Sequence, residues 1–206
     1  GRAYTIKELA SYSFLLEHFY IVDETTSMTK QDLNGTKLVT MDLSAKLGKE
    51  EPLVLIYHTH GSETYKKVNG KEGSVIEVGT ALTKELENVY GIKTVHDKSV
   101  YDMVDGQLDR NAAYNFAGDS VEAALRKNPS VKVVIDLHRD SVENNIHLRT
   151  KVNGKSAAQI MFFNGVSRLA SKGDIGYLYN PNKEANLAFS LQMQLLCGKY
   201  YPDLTR

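Results

Sequence analysis

Two short runs hold three of the six histidines of this 206-residue chain, each run with at least one carboxylate beside them. One is His58-Thr59-His60-Gly61-Ser62-Glu63, and the other is Asp136-Leu137-His138-Arg139-Asp140. Imidazole nitrogens and carboxylate oxygens are zinc donors, and a catalytic zinc uses three protein ligands and keeps one position for water. His60 and Glu63 form an H-x-x-E pair, and His138 lies far along the chain. Two close ligands and one distant one is a common layout for such a site, so the expected ligand set is His60, Glu63 and His138. Water on such a metal has a pKa near ~7, which makes hydrolysis the expected chemistry. Glu77 opens the helix after the first strand, where an acid is ordinarily there for the helix dipole. His58 stands two residues before His60, on the same face if the strand continues. It can support a ligand from behind or carry a proton. Asp136 can orient His138. Arg139 and Asp140 most simply pair at the rim. The functional alternative has Arg139 polarise a substrate carbonyl or bind a carboxylate bidentately, with Asp140, like His58, a candidate for proton transfer. His18, His96 and His147 read as structural.

Both runs follow apolar stretches of strand length, Leu53–Tyr57 and Val131–Leu137. Between them Val75, Val78, Leu82, Leu86 and Val89 repeat at helical spacing, Ile92–His96 reads as a strand, and Asn111–Lys127 as a second helix. Strand, helix, strand, helix, strand predicts an α/β fold with a largely parallel twisted sheet and helices on both faces. Ligands bind such sheets beyond the carboxyl ends of the strands, where both runs sit. Residues 1–51 read as an N-terminal appendage: a helix over Thr5–Tyr20, then strands Phe19–Val22 and Lys37–Leu43 joined through the turn signal Asn34-Gly35. Residues 52–206 form the expected catalytic domain. It adds a hairpin around Asn153-Gly154 and a last helix, Lys183–Tyr200, with Asn182 as its N-cap.

Composition narrows the function. Lys+Arg and Asp+Glu both number 25, so the formal charge is zero and a general nucleic-acid binder is disfavoured. The apolar fraction of 42% supports a core and argues against disorder. The lone Cys197 excludes an internal disulfide framework and a multi-thiolate metal site, and reads as a small buried hydrophobe. No apolar run approaches the roughly 20 residues that span a bilayer. The start, Gly1-Arg2-Ala3, carries no signal peptide, so the stretch is expected to be an excised soluble domain.

LVLIYHTHGSETY (Leu53–Tyr65) and VIDLHRD (Val134–Asp140) resemble the stage II sporulation protein P family. FYIVDETTS (Phe19–Ser27), YLYNPNKEANLAF (Tyr177–Phe189) and YYPDLTR (Tyr200–Arg206) extend the resemblance along the chain. It implies a zinc-dependent N-acetylmuramoyl-L-alanine amidase acting on peptidoglycan during engulfment, also able to cut peptide cross-links, with a fold like the amidase and zinc carboxypeptidase group. It implies an extracytoplasmic protein in the intermembrane space of the sporulating cell, anchored by an N-terminal membrane segment, with the engulfment proteins SpoIID and SpoIIM as partners. Chains of this kind continue beyond YYPDLTR into a strand bearing a catalytic Glu, so weak activity is the expectation for a stretch ending at Arg206. In the wider amidase group the helix after the first strand often supplies the zinc Glu, which makes Glu77 the rival to Glu63 as third ligand. A zinc carboxypeptidase or endopeptidase would use the same ligands. A non-catalytic wall-binding module, with some of the twelve Tyr stacking on sugars, is the rival of another class.

Overall fold

The chain folds locally wherever a polar side chain can close a helix start. A computed structural model describes residues 1–48, 50–65, 72–143 and 145–206. Helix α1 (Ile6–Leu9) is opened by a capping box between Thr5 and Glu8, and α2 (Tyr12–Phe19) by the Ser11 side chain. The single helix expected over Thr5–Tyr20 is thus two, because Ser11 bonds the Phe14 N–H and starts a new turn. The hairpin expected after it does not form. Asn34 instead accepts from the Lys37 N–H and caps α3 (Gly35–Thr40), so Asn34-Gly35 begins a helix.

The central elements follow in the expected order. They are β1 (Val54–Tyr57), α4 (Val75–Asn88), β2 (Thr94–His96), the small hairpin β3 (Met103–Val104) and β4 (Gln107–Leu108), α5 (Arg110–Lys127) and β5 (Val133–Asp136). Then come the hairpins β6 (Arg149–Val152) with β7 (Lys155–Ala158), and β8 (Arg168–Leu169) with β9 (Gly173–Asp174), and finally α6 (Lys183–Tyr200). Asn182 occupies the cap position of α6 but its side chain makes no capping bond; its N–H is taken by Asn180 Oδ1.

Two compact units result. One combines residues 1–44 and 144–206, and the other is residues 45–143. The division therefore differs from the boundary expected at residue 51, since the N-terminal helices pack with α6. Leu9, Leu15, Leu33 and Leu38 meet Leu187, Ala188 and Leu191 in one buried cluster. Asp32 ties this unit together by accepting from Thr29, Lys183 and Arg168.

The second unit is a mixed α/β structure built on a three-stranded parallel sheet ordered β2–β1–β5. The central β1 is buried on both faces, with Val54, Leu55 and Ile56 nearly inaccessible, as its unbroken apolar run requires. Edge strand β5 is less covered than its composition suggests, and Val134 is 42% exposed. Helix α4 lies against β1 and β2 and approaches them closely at Gly79. A Cβ there would stand 2.6 Å from His96 Nε2 and 2.7 Å from His58 Nε2. Alanine normally favours a helix over glycine by roughly 0.5–1 kcal/mol. Here overpacking, at about 1–3 kcal/mol, wins. Gly79→Ala is therefore expected to lower the denaturant midpoint; a raised midpoint would contradict the close approach.

Candidate active site

Both chemical runs emerge at the same end of the sheet because β1 and β5 are parallel neighbours, with Tyr57 opposite Asp136. The carboxylate of Asp136 accepts from the Thr59 N–H at 2.9 Å and from Thr59 Oγ1 at 2.6 Å, clamping the start of the 58–63 loop. It also faces His138 Nε2 at 2.8 Å. Burial opposes charge on Asp136, but the bonds from His138 and Thr59 outweigh it and hold the carboxyl below its ordinary range. The same bond pushes His138 up against burial. This is a charge-assisted pair, stronger than a neutral hydrogen bond.

Glu63 and His60 complete the cluster. Glu63 is 5% exposed, and its carboxylate accepts from the Arg139 N–H at 3.0 Å and from Arg110 Nη1 at 3.4 Å. The His60 ring packs edge-on against His138, with centroids 5.2 Å apart, and against Tyr114 at 5.3 Å. The three residues expected as zinc ligands are thus gathered at one strand end. His60 Nδ1 is buried and has no hydrogen-bond partner among the described residues. An unsatisfied buried polar atom costs about 1–3 kcal/mol, so another group is needed to complete this imidazole.

The other candidates divide. His58 is fully buried, with Nδ1 on the Leu137 carbonyl and Nε2 on His96 Nε2 at 2.9 Å. Both ring nitrogens are engaged inside the protein, so His58 can hold a neighbour but cannot touch a substrate. The Leu137 carbonyl fixes the proton on His58 Nδ1, which leaves His58 Nε2 as acceptor and His96 Nε2 as donor. Burial and the neighbouring His58 push His96 down to about 4, which keeps this pair neutral. Glu77 is exposed and forms a capping box with Ser74. Arg139 supplies its backbone N–H to Glu63, and its Nε is buried with no partner among the described residues. Asp140 follows at the exposed rim. Three residues escaped the sequence reading: Asp102, Arg110 and Tyr114. Arg110 and Tyr114 reach the site from α5 and carry no motif, while His96, read as structural, pairs internally with His58.

Comparison with known proteins bears on this cluster. A family model described as stage II sporulation protein P (SpoIIP) matches residues 6–206. The chain belongs to the SpoIIP family. It is 25% identical over 167 residues to Stage II sporulation protein P of Bacillus subtilis (strain 168), a match covering 76% of this chain and 38% of that relative. The aligned stretch is therefore well under two thirds of the relative's length. No solved structure matches the chain.

Two imidazoles and a carboxylate are donors that zinc accepts, so the residues fit a zinc ion in kind. Among the described residues, however, no three His, Cys, Asp or Glu side chains already stand so as to hold a metal. His138 gives Nε2 to Asp136, and both Glu63 oxygens are taken. His138 therefore has its Nδ1 to offer, with Asp136 fixing the tautomer from the other side. The family's implied Glu can be either Glu63 or Glu77. Only Glu63 lies with the imidazoles, so Glu63→Gln is expected to weaken zinc retention strongly and Glu77→Gln to leave it nearly unchanged. A chelator competition with the reverse order would move the assignment to Glu77.

Proposed function

We propose that this chain carries the catalytic centre of a zinc-dependent peptidoglycan amidase, cutting the bond between N-acetylmuramic acid and L-alanine during engulfment. The observation that supports it best is the gathering of His60, Glu63 and His138 where β1 and β5 end, in a chain of the SpoIIP family. The amidase or carboxypeptidase type of fold belongs to the same proposal, supported by the parallel β2–β1–β5 sheet with its chemistry at the strand ends.

His60, Glu63 and His138 would hold the zinc. When bound, it supplies Lewis-acid polarisation of an amide carbonyl and an activated water. The remaining work falls to this chain's own side chains. Asp136 keeps the His138 ring in one tautomer. Arg110 and the Arg139 N–H hold Glu63 in place, neutralising a carboxylate that is almost wholly enclosed. Tyr114, 59% exposed, walls one side of His60 and shields it from water. We assign substrate binding to the Arg139 guanidinium, for a stem-peptide carboxylate. Asp140, at the exposed rim, is the group assigned to carry a proton to the leaving amine. His58 is withdrawn from that role by its burial.

Peptidoglycan is the proposed substrate. The extracytoplasmic setting, the N-terminal anchor and the partners SpoIID and SpoIIM enter on family grounds alone. Among the described residues no helix is long and apolar enough to cross a membrane. Elemental analysis of the purified chain tests the metal reading: about one zinc per chain is expected, and a chain that takes up none from a zinc buffer contradicts it.

A further inference from the structure

The zinc reading leaves one imidazole without the support that the other has. His138 is held by Asp136, whereas His60 has a buried Nδ1 to which nothing among the described residues is bonded. The nearest carboxylate is Asp102, fully buried, with Oδ2 4.0 Å from that nitrogen. Asp102 is itself tightly placed. The Ser62 N–H donates to Oδ1 at 3.1 Å and Ser62 Oγ to Oδ2 at 2.6 Å. The Asp102 carbonyl accepts from the Asp109 N–H across the β3–β4 hairpin. The 60–62 loop lies close on this segment, since a Cβ at Gly61 would come within 3.0 Å of the Ser99 carbonyl. A fully enclosed carboxylate is costly, and Ser62 alone satisfies only part of its accepting capacity. Each Asp102 oxygen takes one bond from Ser62 and can accept another, and Oδ2 faces the ring nitrogen across a gap about 1 Å longer than a hydrogen bond.

We propose that Asp102 is the positioning residue for His60, accepting the Nδ1–H so that Nε2 is the nitrogen presented to the metal. This rests on the zinc reading of the site. A shift of about 1 Å at Nδ1 would complete the bond. The two imidazoles are then held alike, each by one carboxylate, but through opposite nitrogens: Asp136 takes Nε2 of His138, and Asp102 takes Nδ1 of His60. The sequence alone gave no sign of this, since Asp102 lies in the connection between β2 and β3 with no neighbouring motif.

Long-range nitrogen–proton NMR of the unmodified chain, with and without zinc, reads the His60 tautomer directly. The expected spectrum has the proton on Nδ1 in both states and a zinc-induced shift on Nε2 alone. A proton on Nε2, or a zinc shift on Nδ1, would overturn the proposal. Chelator competition supplies the second readout: zinc held by Asp102→Ala is expected to be about 10–100-fold weaker than in the unmodified chain. Asp102→Asn, which keeps an acceptor oxygen, should recover part of that loss. Unchanged affinity in a folded Asp102→Ala chain would also overturn it. If Asp102→Ala does not fold, the tautomer and the Asn variant decide. If the unmodified chain binds no zinc, the metal reading fails, and the His60 tautomer still decides whether Asp102 orients the ring.

Discussion

Alanine at His60 or at His138 is expected to leave a folded chain that no longer retains zinc through gel filtration. Two donors remain in each variant, one fewer than the three protein ligands of a catalytic zinc. The loss should exceed the 10–100-fold that removal of an outer hydrogen-bond partner costs, because a ligand itself is gone. Any hydrolysis of muropeptides should fall with it. The two substitutions differ in what they leave behind. His138→Ala takes one hydrogen bond from Asp136, although Thr59 still donates twice to that carboxylate. His60→Ala removes a ring whose unpartnered Nδ1 is already a cost, so its effect on folding should be the smaller. Full zinc occupancy in both variants would rule out the ligand set.

The second large effect lies in the other compact unit and concerns stability. Asp32 is 8% exposed and is bonded by Lys183, Thr29 and Arg168. Burial works against its charge, and those bonds more than reverse it, holding the carboxyl well below its ordinary range. Removing one partner of such a buried cluster costs about 3–5 kcal/mol, because the cations stay behind uncompensated. Asp32→Ala is expected to lose stability on that scale. The sign of the pH dependence follows from the depressed value. A carboxyl that is more acidic folded than unfolded contributes fully above its unfolded value, near ~3.9, and loses that contribution as the pH falls toward the folded value. The stability gap between the chain and Asp32→Asn should therefore be widest at neutral pH and narrow progressively below about pH 4. Urea midpoints that differ equally at pH 3 and pH 7 would show that the charge of Asp32 is not what holds this unit.

The elements that carry the site were the legible ones. Leu53–Tyr57 is an unbroken apolar run because β1 is covered on both faces, and Val75 to Val89 repeats at helical spacing because α4 lies against that sheet. His60, Glu63 and His138 could be read because each directly follows such a strand. The N-terminal region misled for a local reason. Asn34-Gly35 is a turn signal in isolation, and only the bond from the Lys37 N–H to the Asn34 side chain turns it into a helix start. Asp102, Arg110 and Tyr114 were out of reach for a different reason. Their roles depend on which segments the fold brings beside the 58–63 loop, and nothing in their own neighbourhoods records that. His58 shows the converse: its sequence position suggested a reactive group, while the fold uses both its nitrogens internally.

The central claim is that this cluster hydrolyses the lactyl–alanine amide with zinc in place. Mass analysis of defined muropeptides after incubation with the zinc-loaded chain, the chelator-stripped chain and the stripped chain given zinc again tests it most directly. The account predicts a free lactyl carboxyl on muramic acid and a stem peptide beginning with L-alanine, in the first and third reactions only. The same products from the chelator-stripped chain, or products cut only within the peptide, would contradict it.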